Sequence, residues 1–440
     1  MNIHPVFLEN MKNLLGDEFE DFEKSLSAPS EKSFRTNTLK CSANGIKEFA
    51  PFTRDRILWC ETGFFYDESQ CEKIGKSLPY LLGLIYPQEA SAMALVEMMD
   101  IIPGDRVLDL CAAPGGKSTQ IAAKLGGKGL LVSNEIVTNR SRILFENIER
   151  CGVKNAVVLN EKPKNLETRF EGFFDKILVD APCSGEGMFR KDPTAALEWT
   201  PESNHACSER QLAILKSAEK MLAPGGTLVY STCTFSKTEN ENVISEFLQN
   251  NPGFSVCEAK LSGLSGGFEP VNEAVRAFPH LCRGEGHFMV KLKKGDGKIA
   301  KPAFMPPSSE KDCKLFTDFA KEYMTESYDA YLSGENVYIA DTLLPDLKGL
   351  KFISAGIFAG KLLKNRFEPQ HHLARALDLT EFKNVYDATE DEIFSYFKGN
   401  TLKSDIRGWC IVTHRGFGAG FAKGSDGMLK NHYPKGLRIF

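Results

Sequence analysis

Two cysteines lie where the chain turns out of two different strand-like segments. Cys183 stands in Asp180-Ala181-Pro182-Cys183-Ser184-Gly185-Glu186-Gly187, and Cys233 in Ser231-Thr232-Cys233-Thr234, one strand-and-helix unit later. Upstream, Asp109-Leu110-Cys111-Ala112-Ala113-Pro114-Gly115-Gly116-Lys117 forms a loop suited to a nucleotide-like cofactor. The thiolate is the nucleophilic form of cysteine. Two such groups beside a cofactor loop point to covalent chemistry on a ring too inert to react by itself. A lone cysteine is usually a small core hydrophobe, and that reading covers Cys41, Cys60, Cys71, Cys151, Cys207, Cys257, Cys282, Cys313 and Cys410. Cys183 follows a proline in a glycine-rich turn, and Cys233 closes a strand inside a Ser/Thr cluster, so neither reads as packing.

These residues need a scaffold. Apolar, β-rich segments at 106–110, 129–134, 156–160, 176–180 and 227–233 read as buried parallel strands. Helical patterns at 118–125, 139–150 and 208–222 separate them. In the second helix Ile143, Leu144 and Ile148 form the apolar side, with Arg140, Arg142 and Glu149 toward water. Gly152 stops it, and Pro224-Gly225-Gly226 stops the third. The alternation predicts an α/β fold, a doubly wound Rossmann-like sheet with right-handed crossovers. A stretch over 280–293 reads as a closing strand or hairpin. Ligands of such sheets bind outside the carboxyl ends of the strands. Here the five ends carry Asp109, Glu135, Asn160-Glu161, Asp180 and Cys233. Core packing alone gives no reason for five such endings.

The loop 111–117 admits three readings. Gly116-Lys117-Ser118-Thr119 mimics the end of a P-loop, but Cys111 stands where the first glycine is required. The dinucleotide pattern GxGxxG is absent. What remains is a tight turn into a helix whose amides can approach a carboxylate, with Glu135 placed to grip a ribose diol. An acid and a flexible turn without a phosphate cradle fit S-adenosylmethionine better than NAD or ATP. The bland alternative is a plain strand-to-helix turn with a surface glutamate. For the cysteines, cytosine gives a concrete case. Its C5 is a poor nucleophile until a thiolate adds at C6, after which C5 can attack a sulfonium methyl. The C5 proton must then leave and the cysteine be expelled, which a second thiol can assist. Asp180 would bond the base edge and stabilise the developing charge.

Composition narrows the class. A chain of 440 residues holds two to four domains, and 42% hydrophobic with 25% charged residues is ordinary for a folded protein. No apolar run is long enough to span a membrane, and the start lacks a charged-then-apolar signal pattern, so a cytoplasmic protein with no membrane partner is expected. Twelve scattered cysteines without a CxxC spacing read as reduced thiols, with no metal site expected. Net charge is −4, yet residues 401–440 carry seven Lys/Arg against two acids, or +5. That bias points to a local anionic partner; a merely solvated surface is the plainer reading of charge alone.

The residues at 75–295 resemble the RNA cytosine-5 methyltransferases of the Nol1/Nop2/Sun family. The match rests on AAPGGK, the acidic strand end, DAPCSGEGMFRKDP and STCTFSKTENENV. The resemblance implies that Cys233 attacks the base and Cys183 assists release; DNA cytosine methyltransferases attack from the Pro-Cys position instead. It further implies Lys117 facing the active site beside Asp180. The cofactor would lie along Cys111, Ala112, Ala113, Pro114, Gly115, Gly116 and Lys117, with Glu135, Arg140, Asp180 and, near the adenine, Asn160 or Glu161. GMFRKDP, Phe278-Pro279-His280 and Gly284-Glu285-Gly286-His287-Phe288 are similar to the RsmF (YebU)-like subgroup, which acts on small-subunit ribosomal RNA. Phe34-Arg35-Thr36-Asn37-Thr38-Leu39 resembles its N-terminal module, with Arg35 as a phosphate contact, and the tail resembles its PUA-like RNA-binding end. The expected division is an N-terminal α+β module at 1–75, a methyltransferase domain at 76–295 and, by its Lys/Gly/Pro/Ser composition, a linker at 296–309. Two small α+β modules follow, at 310–375 and 376–440, the second of which the resemblance makes PUA-like. The expected partner is RNA, as small-subunit ribosomal RNA or the assembling subunit, met by a monomer. His280 and His287 are expected to pack or hydrogen-bond within a hairpin. Transfer RNA methylation and a catalytically silent ribosome-assembly factor are the alternatives. A Rossmann oxidoreductase would leave both cysteines unexplained.

Overall fold

The computed structural model describes residues 3–259, 261–298 and 302–439. Its centre is a ten-stranded mixed sheet. Eight of its strands carry the argument: β1 (Arg106–Asp109), β2 (Leu130–Asn134), β3 (Ala156–Leu159), β4 (Phe174–Asp180), β5 (Leu222–Thr232), β6 (Val275–Ala277), β7 (His287–Lys294) and β8 (Phe352–Ala355). The spatial order is β6-β7-β5-β4-β1-β2-β3-β8. Strands β3-β2-β1-β4-β5 run parallel, while β7 lies antiparallel between β5 and β6. Strand order reverses at β1 and β4, the place where a doubly wound sheet opens a crevice for a ligand. The near-continuous Val/Ile/Leu runs of these strands bury both sheet faces, which the two largest apolar clusters cover.

Several details differ from the sequence expectation. The third helix spans Pro201–Met221, because Thr200 and Ser203 form a capping box ahead of Pro201. It stops before Pro224-Gly225-Gly226, which lies inside β5. In the helix Thr138–Cys151, Ile143 is 46% exposed while Glu149 is only 8% exposed. A second neighbour explains this: the short helix His371–Ala376 packs on the side that patterning assigned to water. Burial, opposed by Arg375, pushes the Glu149 carboxyl up to about 7. Of the cysteines assigned to packing, Cys60, Cys151, Cys313 and Cys410 are buried, whereas Cys41, Cys71, Cys207, Cys257 and Cys282 are half-buried.

The flanking modules are tied into this sheet. An N-terminal four-stranded sheet ends with Ile85–Pro87. Two helices, Pro5–Leu15 and Phe19–Leu26, place Phe7, Met11, Phe22 and Leu26 against Phe189, Trp199, Phe235 and Phe278. They thereby cover the loops that follow β4 and β5. Residues 299–301 of the composition-defined linker lie outside the described residues. The stretch after them is docked: Phe304 bridges Pro345, and the Ser308 N–H donates to Ala330 O. Strand β8, from the segment after that linker, pairs antiparallel with β3 and completes one edge of the central sheet. Composition cannot reveal such a pairing between distant segments. The final five-stranded sheet shares an apolar cluster with the N-terminal module, where Phe34, Ile46 and Phe64 meet Tyr396, Val412 and Leu429.

His372 fastens the junction. Its Nδ1 accepts from Phe358 N–H (3.1 Å), so Nε2–H donates to Val153 O (2.9 Å). Burial lowers its pKa to about 4. A depressed histidine stabilises the fold fully above its unfolded value near 6.5 and loses that contribution as pH falls toward 4. Thermal unfolding followed from pH 7 to pH 4 should therefore show a falling midpoint, with up to about 3 kcal/mol from this residue. His372→Phe should flatten that acid limb; an unchanged limb would remove His372 from the account.

Candidate active site

The crevice at the switch point is built from the ends of β1 and β4. After β1 the chain is pinned by its neighbours: Leu110 N–H donates to Leu178 O of β4, and Ala112 N–H to Asn134 O of β2. Gly115 then adopts φ 113°, in the left-handed region that favours glycine, and a Cβ there would stand 3.2 Å from Leu144 Cδ1. The helix Gly116–Leu125 follows, and its first amides, like those of any helix, lack intrahelical partners. Arg35 braces this turn. It is 1% exposed and donates to Gln88 Oε1, Gly116 O and Thr119 Oγ1. The expected role of Arg35 as an RNA phosphate contact is therefore corrected: the guanidinium is sealed inside, holding the cofactor loop.

Lys117, one residue into that helix, reaches across to β4 and pairs with Asp180 at 2.7 Å. The other Asp180 oxygen accepts from Ser231 Oγ at 2.7 Å. Burial opposes both charges, but each sustains the other. Asp180 holds the ammonium above its ordinary value, and Lys117 holds the carboxyl below its own. The pair keeps its charges in a nearly dry place, as a group needs if it is to stabilise charge on a substrate ring.

The two cysteines converge. Cys183 Sγ and Cys233 Sγ are 3.0 Å apart, and the Cys233 N–H donates to Cys183 Sγ at 3.3 Å. The hydrogen bond with Cys233, reinforced by burial, pushes the Cys183 thiol well above its usual range. Cys183 is thus a protonated thiol at neutral pH. Their loops are fixed by Glu239, wholly buried, which accepts from Ser184 N–H, Asn204 Nδ2 and Gln211 Nε2. Gly286 backs them so closely that a Cβ there would lie 2.3 Å from Phe235 Cζ.

Toward β2, Glu135 is 3% exposed and accepts from Val137 N–H at 2.8 Å. Arg140 lies 3.4 Å from its carboxylate and donates to Ala113 O, so it links the acidic strand end to the loop. Asn160 gives its amide to Glu135 O and Ile136 O and accepts from Thr138 Oγ1. It supports the Glu135 turn from behind. The Glu161 carboxylate turns away, to Asn165 and the Lys351 amide. Asp109 is fully buried with Oδ1 unpartnered, and burial lifts its carboxyl to about 7. The glycine cradle, the acid at Glu135 and the orphaned Asp109 oxygen fit the diol, amino and carboxylate groups of S-adenosylmethionine. Among the described residues no cluster of His, Cys, Asp or Glu has the arrangement of a metal site.

The structure brings together Cys183, Cys233, Asp180, Lys117 and the 111–117 loop, with Glu135 and Arg140 at its far end. Sequence reasoning gave no role to Ser231 or Glu239. A serine two residues before a cysteine and an acid in a polar run carry no distinctive signal.

Comparisons with known proteins agree with this geometry. Residues 96–293 match the family described as 16S rRNA methyltransferase RsmB/F, and residues 3–90 match the N-terminal domain of 16S rRNA methyltransferase RsmF. Residues 318–377 match the first C-terminal domain of that enzyme, and residues 383–439 its PUA domain. Ribosomal RNA small subunit methyltransferase F of Erwinia tasmaniensis is 32% identical over 98% of this chain and 96% of its own length. That of Vibrio vulnificus is 33% identical, with the same shares covered. A solved methyltransferase homolog protein from Pyrococcus horikoshii is 30% identical, with a TM-score of 0.58 over 66% of this chain and 94% of that one. NSun6 from Pyrococcus horikoshii, at 24% identity and a TM-score of 0.59 over 66% of this chain and 98% of that one, shares the fold. With relatives of this similarity over nearly its whole length, the chain belongs to the ribosomal RNA small subunit methyltransferase F family of S-adenosylmethionine-dependent RNA cytosine-5 methyltransferases.

Proposed function

We propose that this chain methylates C5 of cytosine in small-subunit ribosomal RNA through a covalent bond between Cys233 and C6 of the base. The observation that carries the reading is the meeting of two sulfurs at 3.0 Å next to the Lys117–Asp180 pair. S-adenosylmethionine, held along 111–117 with Glu135 at its ribose, supplies an electrophilic methyl group. Cys233 Sγ adds at C6, and the ring electrons move toward C5. Asp180 retains free lone pairs for the base edge, and its charge with that of Lys117 offsets what builds on the ring. After methylation the C5 proton passes to a water molecule, the C5=C6 bond reforms and the C6–S bond breaks. Cys183, a protonated thiol beside that sulfur, gives its proton to the departing thiolate. That all these groups come from one chain supports a monomer, and ribosomal RNA as the substrate supports a cytoplasmic enzyme.

Transfer of labelled methyl groups tests this. Small-subunit ribosomal RNA or its assembling particle should accept label at C5, and transfer RNA should not; the reverse preference would overturn the substrate assignment. Glu135→Ala should weaken S-adenosylmethionine binding by ~1–3 kcal/mol in calorimetry, through loss of charge-assisted hydrogen bonds. Unchanged binding would place the ribose elsewhere.

The basic tail is the expected RNA contact. Because 401–440 also contributes to the shared apolar cluster with Phe34 and Ile46, deleting it would damage the fold. Charge removal is the sound test. Lys403, Lys430 and Lys435 are exposed, so changing all three to Ala should flatten the dependence of RNA affinity on salt by about two to three units of slope. An unchanged slope would mean that this surface is only solvated.

A further inference from the structure

One histidine stands in the site with a fixed tautomer and no part in the steps above. His287 opens β7 and is 5% exposed. Strand β7 runs antiparallel to β5, and their last ladder pair is Thr232 with Phe288. The pairing ends there, and Cys233 and His287 are the next residues along the two chains. Facing residues of an antiparallel pair project to the same side of the sheet, with Cβ atoms about 4.5–5.5 Å apart. That side is the Asp180 side, because Met289 faces Ser231, whose hydroxyl bonds Asp180.

Behind the imidazole lies a relay. Ser91, in the first turn of the helix Ala90–Glu97, donates its single hydroxyl proton to Glu89, the residue that caps this helix. Its oxygen also lies 2.7 Å from His287 Nδ1, and a Glu89 oxygen is 3.9 Å from the same nitrogen. Ser91 has no second proton to give, so Nδ1 must carry the hydrogen. Nε2 then holds a lone pair, and among the described residues no protein group bonds it. Burial lowers the imidazole's affinity for a proton, so at neutral pH it is uncharged. The charged groups facing it are Glu89 from the helix cap, Asp180 from β4, Lys117 from the cofactor-loop helix and Lys191 from the loop after Cys183.

We propose that His287 is the proton acceptor that activates Cys233, with Glu89 and Ser91 positioning it. The role rests on Cys233 being the nucleophile. The S–H bond breaks, its proton passes to Nε2 directly or through one water, and the electron pair stays on Sγ for attack at C6. The imidazolium so formed is stabilised by Asp180 and, through Ser91, by Glu89. When the C6–S bond later breaks, the sulfur takes the Cys183 proton and becomes a thiol. The imidazolium proton then reprotonates Cys183, which restores all three groups.

Alkylation of the full-length protein by iodoacetamide, without RNA, reads the thiolate at Cys233 directly when peptides are followed by mass spectrometry. At pH 7, His287→Asn should slow labelling of Cys233 about tenfold, and the gap should close as pH rises and hydroxide removes the proton instead. Ser91→Ala, which leaves the imidazole in place but frees its tautomer, should slow it severalfold. A variant that has lost its fold betrays itself by fast labelling of buried Cys60, Cys151 and Cys410, and Ser91→Ala then decides. Curves of rate against pH that superimpose for wild type and both variants would overturn the proposal. If the wild type methylates RNA while those curves superimpose, only this inference falls. If the curves separate but no RNA is methylated, the function proposed above falls and the proton acceptor stands.

Discussion

Cys233→Ala should abolish methyl transfer and leave no protein–RNA adduct on denaturing gels, whereas Cys183→Ala should accumulate one. The two sulfurs share a site, being 3.0 Å apart, but they sit on different strand ends. Without Cys233 nothing adds to C6, and C5 stays unreactive. Turnover should fall to background, a loss of at least about 10⁴-fold, as when the nucleophile of a covalent mechanism is removed. Without Cys183 the attack remains open and methyl transfer can follow. The stage that suffers is release, because the thiol placed to protonate the leaving sulfur is gone. A stable adduct in Cys233→Ala with none in Cys183→Ala would exchange the two roles. Full activity in both variants would remove covalent catalysis altogether.

The second large effect concerns the Lys117–Asp180 pair. Asp180→Asn keeps the shape and the Ser231 bond but discards the carboxylate charge. The Lys117 ammonium then remains in a nearly dry site with no counter-charge. Activity should fall about 10²–10³-fold, the usual loss when a preorganised electrostatic group is removed from a reacting centre. Stability should fall as well, by about 2–4 kcal/mol, because breaking one side of a buried pair leaves an uncompensated charge. Lys117→Met should cost a similar amount. The double variant should be more stable than the sum of the two losses implies, since neither charge is then alone, yet it should remain as inactive as either. Additive stability losses would mean that the pair is not the coupled unit its 2.7 Å contact indicates.

How far the sequence foretold this site follows from what kind of signal each part leaves. Strand ends are legible because buried parallel strands are continuous apolar runs, and the polar residues that end each run mark the crevice. Asp109, Glu135, Asp180 and Cys233 were all visible in that way. Arg35 was not, because an arginine in a short strand looks the same whether it meets a phosphate or is locked inside by Gln88 and Thr119. Glu149 and Ile143 exchanged places for a related reason: one helical period records one buried face, and this helix has two neighbours. Strand β8 is a contact between segments almost 200 residues apart, set by tertiary pairing with β3 that no local pattern encodes. His287 shows the remaining gap. Its type is plain in the chain, but its unprotonated nitrogen follows only once Ser91 and Glu89 are seen behind it.

Methylation of cytosine C5 in small-subunit ribosomal RNA by this chain is tested most directly by bisulfite mapping of total RNA from cells with and without the gene, since methylated cytosines resist conversion. One or more protected cytosines in small-subunit ribosomal RNA should become convertible when the gene is removed, and protection should return with the wild-type gene but not with one carrying Cys233→Ala. Unchanged protection throughout that RNA, with protection lost in transfer RNA instead, would contradict it.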